Sequence, residues 1–293
     1  MSFISEIMKK AGALVGLSVG DALGAAFEGL KPENKPVYDI IPGGVHKLKG
    51  GEVTDDTYLA LAVAKSLIKY GKLVYDETAL LMAESFRIHR NFFGPTSAKV
   101  FEAVLAGKSA FRISKEVYEA GGGRTDGSVM RGAPVGIFYS PAKVRTMSIL
   151  YSQMTHYHPV ACECSAFVNL MISCMCRGCN RREAYYRALS ECRNEDVLGK
   201  LSQLKKIRLN PSIDALDATH CAVAFFMQGN SFEEAVSDAA SVGGDTDTIA
   251  AITGALCGAE YGYSSIPERW LCRLIIREEI QKTAFELAEV SEK

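Results

Sequence analysis

The sequence has no marked excess of charge of either sign. Lysine and arginine together number 33 against 34 aspartates and glutamates, which gives a formal charge of -1. No block of like charges stands out along the chain. Proteins that bind nucleic acids or anionic membranes typically concentrate basic residues on one surface. The composition therefore predicts neither kind of partner.

The sequence also lacks a long, uninterrupted apolar run. The longest nearly uncharged stretch, 11–27, follows Lys9 and Lys10, but it contains Asp21 and continues into Glu28 without a convincing cleavage site. We therefore predict no signal peptide here. The stretch also reads as too short and too polar for a membrane span. A cytoplasmic protein with no membrane partner is the expectation.

Cysteine is present, but in a pattern that does not favour disulfides. The nine cysteines are an odd number in a chain large enough to fold without cross-links, which is typical of a reducing compartment. Five of them are close together in sequence: Cys162, Cys164, Cys174, Cys176 and Cys179. They could form a zinc or iron–sulfur site. Because the spacing lacks two C-x-x-C pairs, packing as small hydrophobic side chains is the preferred interpretation.

No run of alternating β-branched residues indicates a strand, whereas helical periodicity recurs along most of the chain. We predict helices over 54–69, 77–90, 97–106, 142–154, 160–176, 182–193, 213–227, 232–241, 246–261 and 268–290. Glycine and proline clusters separate these segments. No linker is long enough to divide the chain, so the prediction is one all-α domain, 1–293.

Two segments carry glycine at every fourth position. Gly12, Gly16, Gly20 and Gly24 form the first set, and Gly254, Gly258 and Gly262 form the second. Each glycine inside a helix costs about 1 kcal/mol relative to alanine. Close backbone approach between two packed helices would compensate for this cost. We therefore place both helices at the centre of the domain.

Two acidic clusters follow glycine pairs and begin predicted helices. The first is Thr54-Asp55-Asp56-Thr57, and the second is Asp245-Thr246-Asp247-Thr248. Threonine and aspartate are common helix caps, and acidic first turns suit the helix dipole, so capping alone is one interpretation. Crowded carboxylates would otherwise need a cation, and an all-oxygen set suits Mg²⁺ or Mn²⁺. Both interpretations stay open on this pattern alone.

Several motifs together resemble the ADP-ribosylglycohydrolase family, which includes the dinitrogenase reductase-activating glycohydrolase and the ADP-ribosyl-acceptor hydrolases. The matching residues are Gly20-Asp21-Ala22-Leu23-Gly24 with Glu28, Thr54-Asp55-Asp56-Thr57, Asp126-Gly127-Ser128-Val129-Met130-Arg131, Thr155-His156-Tyr157-His158-Pro159, Gly243-Gly244-Asp245-Thr246-Asp247-Thr248 and Ile266-Pro267-Glu268-Arg269-Trp270. They span nearly the whole chain in the family's order. The resemblance implies a single compact, orthogonal, multi-helix domain of the family's type.

The resemblance also implies a binuclear Mg²⁺ or Mn²⁺ centre. The expected metal ligands are Thr54, Asp55, Asp56, Asp245, Asp247 and Thr248. The expected catalytic residues are Glu28, Asp56 and Asp245, with Glu28 as a general base or a gate over the ions. Asp21 is expected either to support the ligands from behind or to form a hydrogen bond between packed helices.

The loop 121–131 matches the family's substrate loop. Glycines allow backbone N–H groups to approach an anion, as in other phosphate cradles. Substrate contacts are expected from Gly127, Ser128, Met130 and His156, the last of these to the diphosphate. A flexible turn without a ligand is the alternative for the loop. His158, which precedes Pro159, is expected to cap a turn.

The implied function is hydrolysis of an N- or O-glycosidic bond between ADP-ribose and a protein side chain or a small adduct, by a monomer. A non-catalytic ADP-ribose-binding relative and a phosphohydrolase using the same acids are the alternatives. Two departures from the family's pattern matter. Asp126 stands where the family usually has asparagine, which leaves the detail of the ribose or phosphate contact open. The segment 91–96 has no acid to meet a guanidinium, so an arginine linkage is not assured.

Overall fold

The computed structural model describes residues 2–33 and 35–292. Within these residues the chain forms fifteen α-helices and no β-sheet. The only strand-like pairings among them are two isolated bridges, Gly43 with Leu48 and Thr125 with Asp214. The prediction of an all-α fold is therefore confirmed.

The helices follow one another with short connections. The first eight are α1 (Phe3–Gly24), α2 (Asp55–Tyr70), α3 (Tyr75–Ile88), α4 (Pro95–Leu105), α5 (Ala110–Glu119), α6 (Ala133–Phe138), α7 (Pro141–Ser152) and α8 (Pro159–Cys176). The remaining seven are α9 (Arg181–Glu191), α10 (Glu195–Leu201), α11 (Ala215–Gln228), α12 (Phe232–Ala240), α13 (Thr246–Tyr261), α14 (Glu268–Leu271) and α15 (Arg277–Val290).

Most predicted helices match the observed ones to about two residues at either end. The prediction of one helix over 268–290 is wrong, because the chain leaves the helix after α14 and begins again at α15. The Ile275 N–H lies between them and donates to the Gly51 carbonyl at 3.0 Å, which takes that group out of any helical ladder. Helices α5, α6 and α10 were not predicted from the sequence.

Helices α1 and α13 run antiparallel and touch backbone to backbone. A Cβ added at Gly12 would lie 2.7 Å from the Gly258 carbonyl oxygen. Three further pairs approach just as closely in the same register: Gly16 with Gly254, Gly20 with Ala250, and Gly24 with Thr246. The predicted close packing of the two glycine-lined helices is confirmed. The contact brings the end of α1 against the start of α13.

Two helices, α1 with its short extension to Phe27 and α8, are long and apolar enough to cross a membrane by length and composition alone. This corrects the expectation that the first segment is too short and too polar. In both, 94% of the apolar window is buried against the rest of the protein. Such burial is typical of the core helices of a globular fold.

One cluster of buried apolar side chains draws on helices from α1 to α15. Cys164, Cys174 and Cys176 of α8 belong to it. Burial raises the pKa of the Cys174 and Cys176 thiols to about 12. This supports the interpretation of these cysteines as small hydrophobic side chains. That the chain forms a single domain stays a prediction.

Candidate active site

The start of α2 is held in place by a buried carboxylate from α1. The Asp21 carboxylate accepts hydrogen bonds from the backbone N–H of Thr54, at 3.0 and 3.1 Å, and of Thr57, at 3.2 Å. It also accepts from the hydroxyls of Thr54 at 2.9 Å and of Thr57 at 2.6 Å. Both interpretations of Asp21 are consistent with this geometry. The residue links two packed helices and supports the predicted ligands Asp55 and Asp56.

The start of α13 is positioned by a tight turn instead. Gly243 and Gly244 have φ angles of 81° and 65°, in the left-handed region that favours glycine. The Gly244 carbonyl accepts from the Gly29 N–H at 2.7 Å, and the Asp245 N–H donates to the Pro211 carbonyl at 3.3 Å. A side chain at Gly244 would collide with Pro211. The turn directs Asp245 and Asp247 toward the acids of α2.

Both helix starts contribute to one cleft of about 180 Å³. Its lining residues are Glu28, His46, Asp55, Asp56, Phe92, Gly94, Pro95, Thr96, Ser97, Thr125, Asp126, Gly127, Met130, His156, Ile213, Asp245, Asp247 and Thr248. Acids far apart in the sequence therefore converge, as the implied binuclear centre requires. A larger surface cavity of about 550 Å³ lies between α9 and α11 and contains none of these residues.

The carboxylates of the cleft repel one another in a buried setting. Burial, reinforced by the Asp247 carboxylate, raises the pKa of Asp55 and of Asp56 well above the usual range. Burial, followed by the charges of Asp126 and Asp247, raises the pKa of Asp245 well above the usual range. Without a counter-ion, protons must therefore be shared across the cluster.

Glu28 lies at the rim of the cleft, with 29% of its side chain exposed. Burial, followed by the charges of Asp247, Asp245 and Asp21, raises the pKa of Glu28 to about 8. One carboxylate oxygen lies 3.3 Å from His46 Nε2, which is ion-pair distance, although the geometry is not that of a hydrogen bond. Glu28 therefore faces the acidic cluster from the solvent side.

Several carboxylate oxygens of the site have no hydrogen-bond partner among residues 2–33 and 35–292. They are Glu28 Oε2, Asp56 Oδ1, Asp126 Oδ2 and Asp245 Oδ2. Buried polar atoms are normally paired, so several unpaired carboxylate oxygens lining one cleft indicate a missing positive partner. The all-oxygen donor set suits a hard divalent cation. Among residues 2–33 and 35–292, no group of three or more His, Cys, Asp or Glu side chains has the geometry to hold a metal ion without rearrangement. The case for a metal site therefore rests on the unpaired oxygens, because the side chains do not form a complete coordination shell.

Of the predicted metal ligands, Thr54 is the one that does not line the cleft. Thr54 is 1% exposed, and its single hydroxyl proton has two acceptors within reach, Asp21 Oδ1 at 2.9 Å and Asp56 Oδ2 at 3.2 Å. Thr248 does line the cleft, and its backbone N–H donates to Asp247 Oδ1 at 2.9 Å. The structure thus brings five of the six predicted side chains to one space.

The predicted substrate loop divides into two parts. Gly127 and Met130 face the cleft, as does His156 from the segment before α8. Ser128 does not, because its hydroxyl is fully buried behind the wall and accepts a hydrogen bond from Ser152 at 2.7 Å. Its expected role as a donor into the cleft is therefore corrected. The glycines at 121–123 also lie outside the cleft lining.

The predicted cap at His158 is confirmed. Its Nδ1 accepts from the Val160 N–H at 3.2 Å, at the start of α8. This bond supplies an acceptor for one of the unpaired N–H groups of the first helical turn. The side chain does not line the cleft.

Comparison with known proteins identifies the family. The model of the ADP-ribosylglycohydrolase family matches residues 6–293. The chain belongs to the ADP-ribosylglycohydrolase family. Members hydrolyse linkages to ADP-ribose, so the acidic cleft is the candidate active site of such a hydrolase.

Similar ADP-ribosylglycohydrolases come from several organisms. "ADP-ribosylarginine hydrolase Tri1" of Serratia proteamaculans is 30% identical over 97% of this chain and 80% of its own length. "ADP-ribosyl-[dinitrogen reductase] glycohydrolase" of Rhodospirillum rubrum is 27% identical over 92% of this chain and 90% of its own. A solved structure titled "ADP-ribosylglycohydrolase-related protein complex" superposes with a TM-score of 0.87 at 28% identity, covering 99% of this chain and 100% of the other. The similarity confirms the predicted fold type.

Two residues of the ADP-ribosylglycohydrolase cleft were not foreseen at all, His46 and Ile213, whereas Thr125 and most of the segment 92–97 fall in stretches that the sequence analysis had singled out without naming these side chains as contacts. Ile213 is brought in by backbone pairing, because its carbonyl accepts from the Asp126 N–H at 3.1 Å. The Phe92 ring packs edge-on against His46, with 5.2 Å between ring centroids. The absence of an acid in 91–96 drew attention to that segment. Nothing in the local pattern marked His46 or Ile213.

Proposed function

We propose that this protein hydrolyses the N- or O-glycosidic bond between ADP-ribose and a protein side chain or a small adduct, with two Mg²⁺ or Mn²⁺ ions. The observation that supports this most directly is the convergence of two acidic helix starts, with unpaired buried oxygens, on one cleft in a member of this family. Asp55, Asp56, Asp245, Asp247 and Thr248 would hold the ions. Thr54 would contribute by fixing the start of α2, through its backbone and hydroxyl bonds to Asp21.

The size of the cleft limits what it encloses. Sites for whole small-molecule ligands usually measure roughly 300–1,000 Å³, whereas this cleft measures about 180 Å³. It would therefore enclose the distal ribose and the ions. The diphosphate would lie against the wall formed by Gly127 and His156, and the adenosine would extend outward.

When bound, the ions would orient the ribose hydroxyls and lower the pKa of water, as divalent ions do in hydrolases. The residues of the chain supply the remaining chemistry. As the bond from the anomeric carbon to the leaving nitrogen or oxygen breaks, the surrounding carboxylates stabilise the developing oxocarbenium charge. Glu28 takes the proton from the attacking water, whose oxygen bonds to the anomeric carbon, and passes a proton to the leaving group.

Replacement of Asp245 by asparagine tests this account. The substitution keeps the size of the side chain and removes one anionic oxygen from the cluster. We expect ADP-ribose release to fall by at least about 100-fold, since even residues that only support a metal site cost 10- to 100-fold when changed. The exposed Asp39→Asn variant is the control. Full turnover by Asp245→Asn, or release of inorganic phosphate by the wild type, would contradict the proposal. ADP-ribose binding by the wild type without turnover would favour a non-catalytic relative.

The linkage that is cleaved depends on the segment 92–97. Phe92, Pro95 and Thr96 form part of the cleft wall, and the segment carries no carboxylate. An aromatic ring and a hydroxyl would face the leaving group from this side. We propose that the enzyme does not select its leaving group by a carboxylate–guanidinium pair here, although a 30% identical relative is named for ADP-ribosylarginine. Peptides modified on arginine, serine or glutamate test this, and arginine-selective release would contradict it.

The target is proposed to be an ADP-ribosylated protein or an ADP-ribosyl small molecule. Action as a monomer and a cytoplasmic location stay predictions. Size-exclusion chromatography with light scattering measures the first of these, and cell fractionation measures the second.

A further inference from the structure

Arg131 is a fully buried arginine beside the cleft, with 0% of its surface exposed. Its Nη2 donates to the Thr155 hydroxyl, while Nε and Nη1 have no hydrogen-bond partner among residues 2–33 and 35–292. The guanidinium carbon lies 5.7 Å from the centroid of the Tyr151 ring and 6.0 Å from that of Phe101. The two rings restrict where the guanidinium can move. The direction of its bond to Thr155 is therefore fixed by packing.

His156 lies between two threonines. Its Nδ1 is 2.8 Å from Thr155 Oγ1, and its Nε2 is 2.9 Å from Thr125 Oγ1. His156 is 1% exposed. Burial, together with the positive charge of Arg131, lowers the pKa of His156 well below its usual value. The neutral ring carries one proton, so one nitrogen must donate and the other must accept.

The arginine decides which nitrogen carries the proton. A guanidinium can only donate, so the Thr155 hydroxyl oxygen accepts from Arg131. The Thr155 hydroxyl proton then needs an acceptor, and His156 Nδ1 is the one within hydrogen-bonding distance in the described chain. With the proton on Nδ1 instead, that hydroxyl proton would be buried without a partner, an arrangement that native structures avoid. Nδ1 therefore accepts, and Nε2 carries the hydrogen.

The same logic extends to the wall of the cleft. His156 Nε2–H donates to Thr125 Oγ1, which leaves the Thr125 hydroxyl proton free to donate onward. Both Thr125 and His156 line the cleft. Every donor in this chain of four residues therefore points in one direction, from the buried guanidinium toward the cleft.

We propose that Arg131 and Thr155 are positioning residues that fix His156 as its Nε2–H tautomer, so that the Thr125 hydroxyl donates to a diphosphate oxygen of ADP-ribose. The ligand in this inference rests on the proposed function, whereas the tautomer does not. A phosphate is disfavoured beside the carboxylates at the starts of α2 and α13. The Thr125 side of the cleft has a buried positive charge behind it and glycine at position 127, where a Cβ would lie 2.7 Å from His156 Cε1. Asp126 also lines the cleft here, but burial raises the pKa of its carboxyl to about 7, which reduces the negative charge it presents at neutral pH.

Nitrogen-15 NMR of the ligand-free protein tests the tautomer without any turnover. At pH 7 we expect His156 Nδ1 to resonate as an unprotonated nitrogen and Nε2 as a protonated one, with His156→Gln used to assign the signals. Thr155→Val, which is nearly isosteric, should give a mixture of tautomers, and Thr155→Ser should restore the single form. Thr155 is the first choice because removing the buried Arg131 endangers the fold. Arg131→Met should also give the mixture if circular dichroism shows it folded. A hydrogen on Nδ1 in the wild type, or an unchanged Thr155→Val spectrum, would overturn the inference.

Calorimetric measurement of ADP-ribose and ADP binding tests whether the Thr125 hydroxyl donates to the diphosphate. Thr125→Val should weaken both by about 10- to 100-fold, as expected for a hydrogen bond to a charged group. Thr125→Ser should bind like the wild type, and the loss should appear in KM and not in kcat. Wild-type affinity in Thr125→Val, or a loss with ADP-ribose but not with ADP, would overturn the assignment to the diphosphate. If the wild type binds neither ligand while the tautomer is as expected, the proposed function fails and the positioning of His156 stands.

Discussion

The two acidic helix starts look alike in sequence but are positioned by different means. At the start of α2, the Asp21 carboxylate accepts from the backbone and hydroxyl groups of Thr54 and Thr57. The start of α13 is instead positioned by backbone groups, through the Gly243-Gly244 turn and the contact with α1. One cluster therefore depends on side-chain hydrogen bonds and the other on backbone contact.

The difference indicates which kind of substitution would displace each acidic cluster. A side-chain anchor can be removed by one conservative substitution without disturbing helix packing. A backbone contact can be removed only by separating the helices, which also disturbs the core. Variants of the two kinds should thus separate loss of activity from loss of stability.

The largest effect is expected from the backbone contact. In Gly20→Ala, the added methyl would collide with the Ala250 carbonyl, and neither helix can yield without moving the other. We expect the free energy of unfolding to fall by about 3 kcal/mol. Chemical denaturation measures it. Gly199→Ala in α10 is the matched control, because its methyl meets nothing within 4 Å and should stabilise the helix by up to about 1 kcal/mol. Equal stabilities for the two variants would contradict the comparison.

The side-chain anchor should affect catalysis more than stability. In Asp21→Asn, the amide nitrogen cannot accept from the Thr54 and Thr57 donors, so the start of α2 loses its fixed position. We expect kcat/KM for ADP-ribose release to fall by about 10- to 100-fold, as for other residues that support a metal site. Unfolding should be less affected than in Gly20→Ala. If Asp21→Asn retained full activity, the proposed anchoring role of Asp21 would be wrong.

The sequence was informative where a periodic pattern met a physical constraint. The glycine spacing predicted the α1–α13 contact, and the resemblance to the family implied which acidic side chains converge. It was misleading where a tertiary contact overrode the local pattern, as at Ile275, whose N–H is taken by Gly51. Ser128 looked like a donor because of its place in a glycine-rich loop, yet Ser152 holds it behind the wall. His46 and Ile213 reach the cleft through long-range packing, which no local signal encodes.

The clustered acids should make the cation-free protein sensitive to alkaline pH. Burial raises the pKa of Asp126 to about 7 and of Glu28 to about 8, from ordinary values of about 4. The unfolded chain therefore loses these protons first as the pH rises. The stability that these two protonated carboxyl groups contribute is fully present below pH 4. It is lost progressively as the pH rises to about 8.

We expect the melting temperature in EDTA to fall by several degrees between pH 5 and pH 8. Mg²⁺ should remove most of this fall, because cations neutralise the cluster, whereas NaCl of equal ionic strength should not. Differential scanning calorimetry provides the measurement. A melting temperature in EDTA that stays constant or rises over this range would argue against the buried acidic cluster.

The smallest effect is expected at the wall of the cleft, away from both helix starts. Gly127→Ala would place a methyl 2.7 Å from the His156 ring, which must tilt to accommodate it. We expect KM to rise by about 3- to 10-fold, the equivalent of one weakened hydrogen bond, with kcat and melting temperature nearly unchanged. Steady-state kinetics test this, with Gly199→Ala as the control. A fall in kcat with KM unchanged would place the effect on the chemistry instead.

The glycine-lined pairing of α1 with α13 also restricts how this chain can vary in length. The contacts recur every four residues along both helices, so inserting one residue in either helix would rotate everything beyond it by about 100°. Every contact past the insertion would then be lost together, and the acids at one end would turn away from the cleft. Insertions and deletions in related chains should therefore fall in the connections between helices, with the lengths of these two helices held constant.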